Sequence, residues 1–164
     1  MFDVDIEFED ISVKNIERED ISDLKSMLKD KKFCLNGNGF DEVFLGYYMS
    51  EYEFFTKILK NEEFIGVFRG RIEFKSRNIV WISYFFIDER YSTSKESQNI
   101  LMNILKYFYN NFGICDFITG ITKSEKNMIK MWQNNDFKMI RVNKEFYSDK
   151  EYKEDLIIME KNIS

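Results

Sequence analysis

The residues best placed to do chemistry are Ser92, Thr93, Ser94, Lys95, Glu96 and Ser97, a polar run between two strongly patterned segments. Before it, Ile79 to Ile87 is a stretch of β-branched and aromatic residues with no Gly or Pro, long enough for a buried strand. After it, Ile100, Leu101, Ile104, Leu105, Phe108 and Phe112 fall on one helical face, opposite Asn99, Asn103, Lys106 and Asn110. Strand, polar turn and helix place unpaired N–H groups and a positive dipole end at the mouth of a strand, a seat that suits a phosphate. The N–H groups from Thr93 to Ser97, the Ser and Thr hydroxyls and the Lys95 ammonium would contact it. A second reading uses the same donors. Thr93-x-x-Glu96 fits a capping box, in which the hydroxyl caps the helix and the carboxylate returns to the cap's own N–H. Acids also outnumber bases here, with Asp88, Glu89 and Glu96 against Arg90 and Lys95.

Composition narrows the chemistry. The chain has 164 residues, 44% hydrophobic and 17% aromatic, enough for one domain with a sizeable core over residues 1–164. Its net charge of −5 and lack of a basic tract argue against nucleic acid and tolerate a cationic or amine substrate. The absence of His removes the usual general base near neutral pH and the commonest metal ligand. Cys34 and Cys115 lack CxxC spacing, so no metal site is expected and each reads as a small packing thiol. The acidic N-terminus MFDVDIEFED is unlike a signal peptide, and no apolar run reaches the ~20 residues that span a bilayer. A cytoplasmic protein is the expectation.

The elements that must position the polar run follow from pattern. Asp3 to Ile16 alternates in part and suits one long strand or two short ones. Asp20 is placed to cap a helix bearing Ile21, Leu24, Met27 and Leu28, and Asp41 a second helix bearing Val43, Phe44 and Tyr47. Between them Asn36-Gly37-Asn38-Gly39 reads as a turn. Phe54 to Leu59, Phe64 to Phe74 and Ile79 to Ile87, joined by short polar turns, make an antiparallel meander. Asp116 to Ile121 is a short strand, parallel to Ile79–Ile87 because a helix connects them. Ser124 is placed to cap a fourth helix, and Phe137 to Phe146 with Asp155 to Lys161 form a closing strand pair.

Particular residues sharpen this order. Ile87-Asp88-Glu89 forms a corner, Ser92 to Ser97 a loop, and Met131-Trp132 is followed at fixed spacing by Asp136-Phe137 and by the strand DLIIMEK. Order and spacing resemble the GNAT acyltransferase superfamily across nearly the whole chain. The resemblance implies a mixed α/β (α+β) fold, a mostly antiparallel central sheet of six or seven strands flanked by about four helices. It implies acetyl-CoA as co-substrate, no metal, and direct attack of a small amine or peptide amine on the thioester. The backbone of Phe85, Phe86 and Ile87 would pair with pantetheine, and Ser92 to Ser97 would seat the pyrophosphate. Several motif positions differ from the family's. No Gly lies between Gly70 and Gly113, Asp136 stands where a Gly precedes Phe137, and Asn127 lies near the expected Asn, which aligns with Glu125. Trp132 occupies the place of a Tyr used as general acid and reads as packing beside the cofactor groove.

Amine acylation also needs proton-handling groups. Glu73 is a candidate base, Tyr84 a candidate acid or substrate-positioning hydroxyl, and Tyr147 a further donor. The rival reading is a GNAT-fold binding or structural module without chemistry, suggested by the glycine-free loop and Trp132. Exposed strand edges and aromatic content allow a homodimer. The acceptor-binding region is expected in the variable segments Lys31 to Tyr52 and Tyr147 to Glu154.

Overall fold

The computed structural model describes residues 1–28, 40–91, 93–149 and 151–164. In chain order the elements are β1 (Asp5–Phe8), β2 (Ile11–Asn15), a 3-10 turn (Arg18–Asp20), α1 (Ile21–Met27), α2 (Phe40–Met49), β3 (Glu53–Lys60), β4 (Glu63–Phe74) and β5 (Asn78–Ile87). Then follow α3 (Ser94–Phe112), β6 (Asp116–Thr122), α4 (Lys126–Asn134), β7 (Lys138–Ser148) and β8 (Lys153–Asn162). The strands order as β1-β2-β3-β4-β5-β6-β8-β7, with β5 and β6 parallel over Ile79–Ile82 and Asp116–Thr119. The pairs β1–β2, β2–β3, β3–β4, β6–β8 and β7–β8 are antiparallel. Among the described residues the sheet is thus the expected mixed, mostly antiparallel one, with four α-helices. It has eight strands rather than six or seven. The N-terminal segment folds back as a hairpin, with Glu9 in the left-handed region at φ 50°, so of the two readings of this segment, one long strand or two short ones, the two short strands β1 and β2 form.

The chain divides into two compact units. One is Met1–Arg71 with Tyr84–Ser97. Its core joins Ile16, Leu24, Leu28, Tyr47, Phe55 and Val67, with Phe44, Phe64, Tyr84 and Phe86 packed against them. Phe54, Phe68 and Phe85 form a second aromatic group, with successive ring centroids 5.2 Å and 6.2 Å apart. Asp20 does not cap α1 with its side chain. Its carboxylate instead accepts the Glu17 N–H at 2.8 Å and grips the Lys57 ammonium with both oxygens at 2.8 Å, a charged partner that outcompetes a capping N–H. The β3–β4 turn has Asn61 and Glu62 both at positive φ, 48° and 67°, as a type I′ hairpin requires. It leaves Lys60 paired with Glu63 at the very tip.

The second unit is Ile72–Ser83 with Gln98–Ser164. Ile100, Leu101, Ile104, Leu105 and Phe108 form the buried stripe of α3, as the 3.6-residue spacing predicts. At the start of α4 the N-cap is Glu125, not Ser124. The Ser124 N–H is taken by Glu154 at 2.7 Å. The far end of α4 closes as a Schellman motif: Phe137 N–H reaches Trp132 C=O and Asp136 N–H reaches Gln133 C=O, both at 3.0 Å, around Asp136 at φ 64°. Among the described residues no helix is long and apolar enough to cross a membrane.

Candidate active site

The site is built from the end of β5 and the first turn of α3. Asp88 N–H donates to Ile65 C=O at 2.8 Å, so this residue faces β4. Ile65 is the extra residue of a bulge, because Ile58 pairs with Gly66 and Leu59 with Phe64. A Cβ built on Gly66 would collide with Phe86 O and lie 3.0 Å from Ile87 Cα, so only glycine permits this approach. Backbone groups alternate in direction along a strand. With Phe86 and Asp88 turned to β4, the N–H and C=O of Phe85 and Ile87 point to the other edge, the edge that carries the parallel ladder over Ile79–Ile82. At the corner, Asp88 holds the Arg90 guanidinium, with Nε 3.0 Å from each carboxylate oxygen.

At α3 the capping box is formed. Thr93 N–H donates to Glu96 Oε2 at 2.7 Å and Glu96 N–H to Thr93 Oγ1 at 3.2 Å. The remaining Glu96 oxygen takes the Lys60 ammonium at 2.7 Å, from the β3–β4 tip. Lys60 above all, then the Thr93 backbone, draw the Glu96 carboxyl from 4.5 down to about 2. An internal carboxylate therefore sits where an anion would bind. Ser94 and Lys95 are exposed and Ser97 is partly buried, its N–H closing the first α3 turn on Thr93 C=O at 2.9 Å. Ser92 lies outside the described residues, as do Cys34 and the Asn36–Gly39 turn.

The catalytic candidates are scattered in character. Tyr84 is partly buried on the face that packs against Leu24, Leu28, Tyr47 and Val67, its ring 6.4 Å from Phe86. Glu73 lies 3.6 Å from the Lys75 ammonium. Tyr147 is exposed on β7, edge-on to Phe146 at 5.0 Å. Asn127 is exposed on the first turn of α4. Trp132 is buried at 1% exposure, edge-on to Phe137 at 4.7 Å inside the Schellman closure, so its indole packs and is not presented as an acid.

Three features escaped the sequence reading. Lys60 is 36 residues from its partner, and no local pattern announces it. Arg69 is a cation inside an apolar strand, and that oddity was the available signal. Glu154, 9% exposed, accepts from Tyr152 Oη at 2.6 Å and from Ser124 N–H, tying the β7–β8 hairpin to the start of α4. These two bonds hold its carboxyl below the usual range, and the first of them raises the Tyr152 phenol. Among the described residues no cluster of His, Cys, Asp and Glu is arranged for a metal.

Comparison with known proteins places this architecture. Residues 13–158 match the acetyltransferase (GNAT) domain. The chain belongs to the GNAT acetyltransferase family. No curated protein matches the sequence. Solved structures share the GNAT fold at low identity. The acetyltransferase from Salmonella typhimurium that modifies the N-terminal serine of ribosomal protein L7/L12 is similar at TM-score 0.79 and 14% identity, over 96% of this chain and 97% of that one. NAA60 of Arabidopsis thaliana, held with a bisubstrate analogue, gives 0.72 and 15% over 94% and 99%. A spermidine N-acetyltransferase chimera from Vibrio cholerae and hSSAT gives 0.76 and 12% over 94% and 96%.

Proposed function

We propose that this GNAT protein is an acetyl-CoA-dependent N-acyltransferase acting on a small amine or a peptide amine. The outer edge of β5 carries the reading. Phe85 and Ile87 direct N–H and C=O groups away from β4, an edge that suits the amides of pantetheine as an added strand would. The phosphate end fits less directly. The Thr93 N–H and the Lys60 ammonium are suitable donors, but Glu96 satisfies both until it swings out. Ser92, Ser94, Lys95, Ser97 and Asn127 are the remaining polar groups proposed for the cofactor.

Acetyl-CoA supplies an activated acyl carbon. The acceptor nitrogen bonds to that carbon, the C–S bond breaks with its electron pair on sulfur, the amine gives up one proton and the thiolate takes one. Glu73, Tyr84 and Tyr147 are the proposed groups for these transfers. Relatives of the same fold act on a protein N-terminus and on spermidine, which supports an amine as acceptor.

A second reading, a GNAT-fold binding module without chemistry, is favoured by one observation: the internal carboxylate on α3. Calorimetric titration with acetyl-CoA and a thiol-release assay over polyamines, amino acids and peptides separate the two. Binding with turnover supports the enzyme. Binding without turnover on the whole panel supports the module. No heat at millimolar acetyl-CoA, for wild type and Glu96→Ala alike, overturns the cofactor assignment.

A further inference from the structure

Arg69 lies on β4 opposite Phe55 of β3. Its guanidinium carbon is 5.7 Å from the centroid of the Phe55 ring, and Phe55 is wholly buried with Tyr47 edge-on at 5.9 Å. Val67 precedes it by two residues and so shares its face. Val67 belongs to the cluster on which Tyr84 and Phe86 pack, which places Arg69 on the sheet face of the candidate Tyr84. The side chain is partly buried. Among the described residues none accepts a hydrogen bond from it, and the Glu53 carboxylate acts on it through space without direct contact.

Two cations of the neighbouring strand β3 are paired directly. Lys57 is gripped by Asp20 at 2.8 Å and Lys60 by Glu96 at 2.7 Å. Glu53, the acid on the Arg69 face, stands across the strands from Arg71. A guanidinium carries five N–H donors in one plane, and the Phe55 ring beneath its central carbon supplies a cation–π contact but no hydrogen-bond acceptor. Removing such a group from water without an acceptor is costly, which a ligand anion offsets. A planar, singly charged carboxylate matches the fork with two parallel bonds. A doubly charged phosphate would meet stronger repulsion from Glu53, so the carboxylate is the better fit.

We propose that Arg69 anchors a carboxylate on the acceptor, so that the amines acylated are amino acids or peptides with an acidic first residue. The word acceptor rests on the acyltransfer reading; the anion site itself does not. The test uses full-length protein with two dipeptide amides, glutamyl-alanine amide and glutaminyl-alanine amide, and free glutamate as a third arm. Binding is followed by calorimetry and by the Arg Nε–H NMR signals, transfer by thiol release from acetyl-CoA. The glutamyl peptide should bind roughly ten- to a hundredfold tighter than the glutaminyl one. Arg69→Met should erase that preference, and Arg69→Lys, which keeps the charge without the fork and covers a failure of the first variant to fold, should retain only part. Free glutamate binding as well as the dipeptide assigns the small amino acid as ligand; a preference for the dipeptide assigns the acidic N-terminus. Equal binding of the two dipeptides, no binding of either, or a preference surviving in both variants overturns the proposal. Carboxylate-dependent binding without thiol release sinks acyltransfer and leaves the Arg69 site standing; thiol release indifferent to the carboxylate does the reverse.

Discussion

Glu96 decides how the α3 terminus behaves. Its carboxylate satisfies the Thr93 N–H and neutralises Lys60, two groups a phosphate would otherwise use. Glu96→Ala trades a helix cap for an open anion seat. Acetyl-CoA should bind the variant roughly tenfold tighter by calorimetry, while its melting temperature falls. The same carboxylate titrates in an unusual window. Its pKa is depressed in the folded chain, from 4.5 to about 2. The stabilisation is therefore complete above about 4.5 and is lost as pH falls toward about 2. Melting temperatures of wild type and Glu96→Gln, measured from pH 2 to 7, should differ most at the upper end and converge at the lower. A gap independent of pH would assign the effect to packing instead.

At the scale of the element, two backbone positions carry unusual demands. Asp136 sits at φ 64° where the α4 Schellman motif turns into β7, with Phe137 closing on Trp132. The conformation explains the Gly that the GNAT pattern places before this Phe: the position is left-handed, and Asp tolerates it better than most residues. Asp136→Gly should leave the melting temperature nearly unchanged, whereas Asp136→Val should lower it by about 2–6 °C. Gly66 is the second position. A methyl group there meets backbone atoms of β5, not the end of a flexible side chain. Gly66→Ala should cost about 3 kcal/mol by denaturant unfolding. It should also weaken acetyl-CoA binding, because it displaces Phe86 and Ile87 and with them the edge that Phe85 and Ile87 present.

For the molecule as a whole, ligand binding and stability are linked. Acetyl-CoA at a hundredfold its dissociation constant adds about 2.7 kcal/mol, which a melt of a chain this size reads as about 5–10 °C. Absence of any shift at saturation would contradict binding to the folded state. The sheet was legible in the sequence because β-branched and aromatic runs bounded by polar turns admit few alternatives, and α3 because its stripe recurs every three or four residues. Thr93-x-x-Glu96 spelled the capping box outright. What was hidden depends on contacts distant in sequence. Lys60 meets Glu96, Asp20 abandons α1 for Lys57, and Glu154 reaches Ser124 only after the chain has folded. Two short N-terminal strands were one of the readings the alternation allowed, but the turn between them was unmarked, since Glu9 carries none of the Gly or Asn character that usually marks a left-handed turn. The link from the β3–β4 tip to α3 has a further consequence in time. A ligand needing that first turn enters only during the intervals when Glu96 has left Lys60, so its association rate scales with the open fraction. Once seated, it leaves at a rate the carboxylate does not set. Opening the contact by mutation should thus speed arrival and leave residence almost untouched.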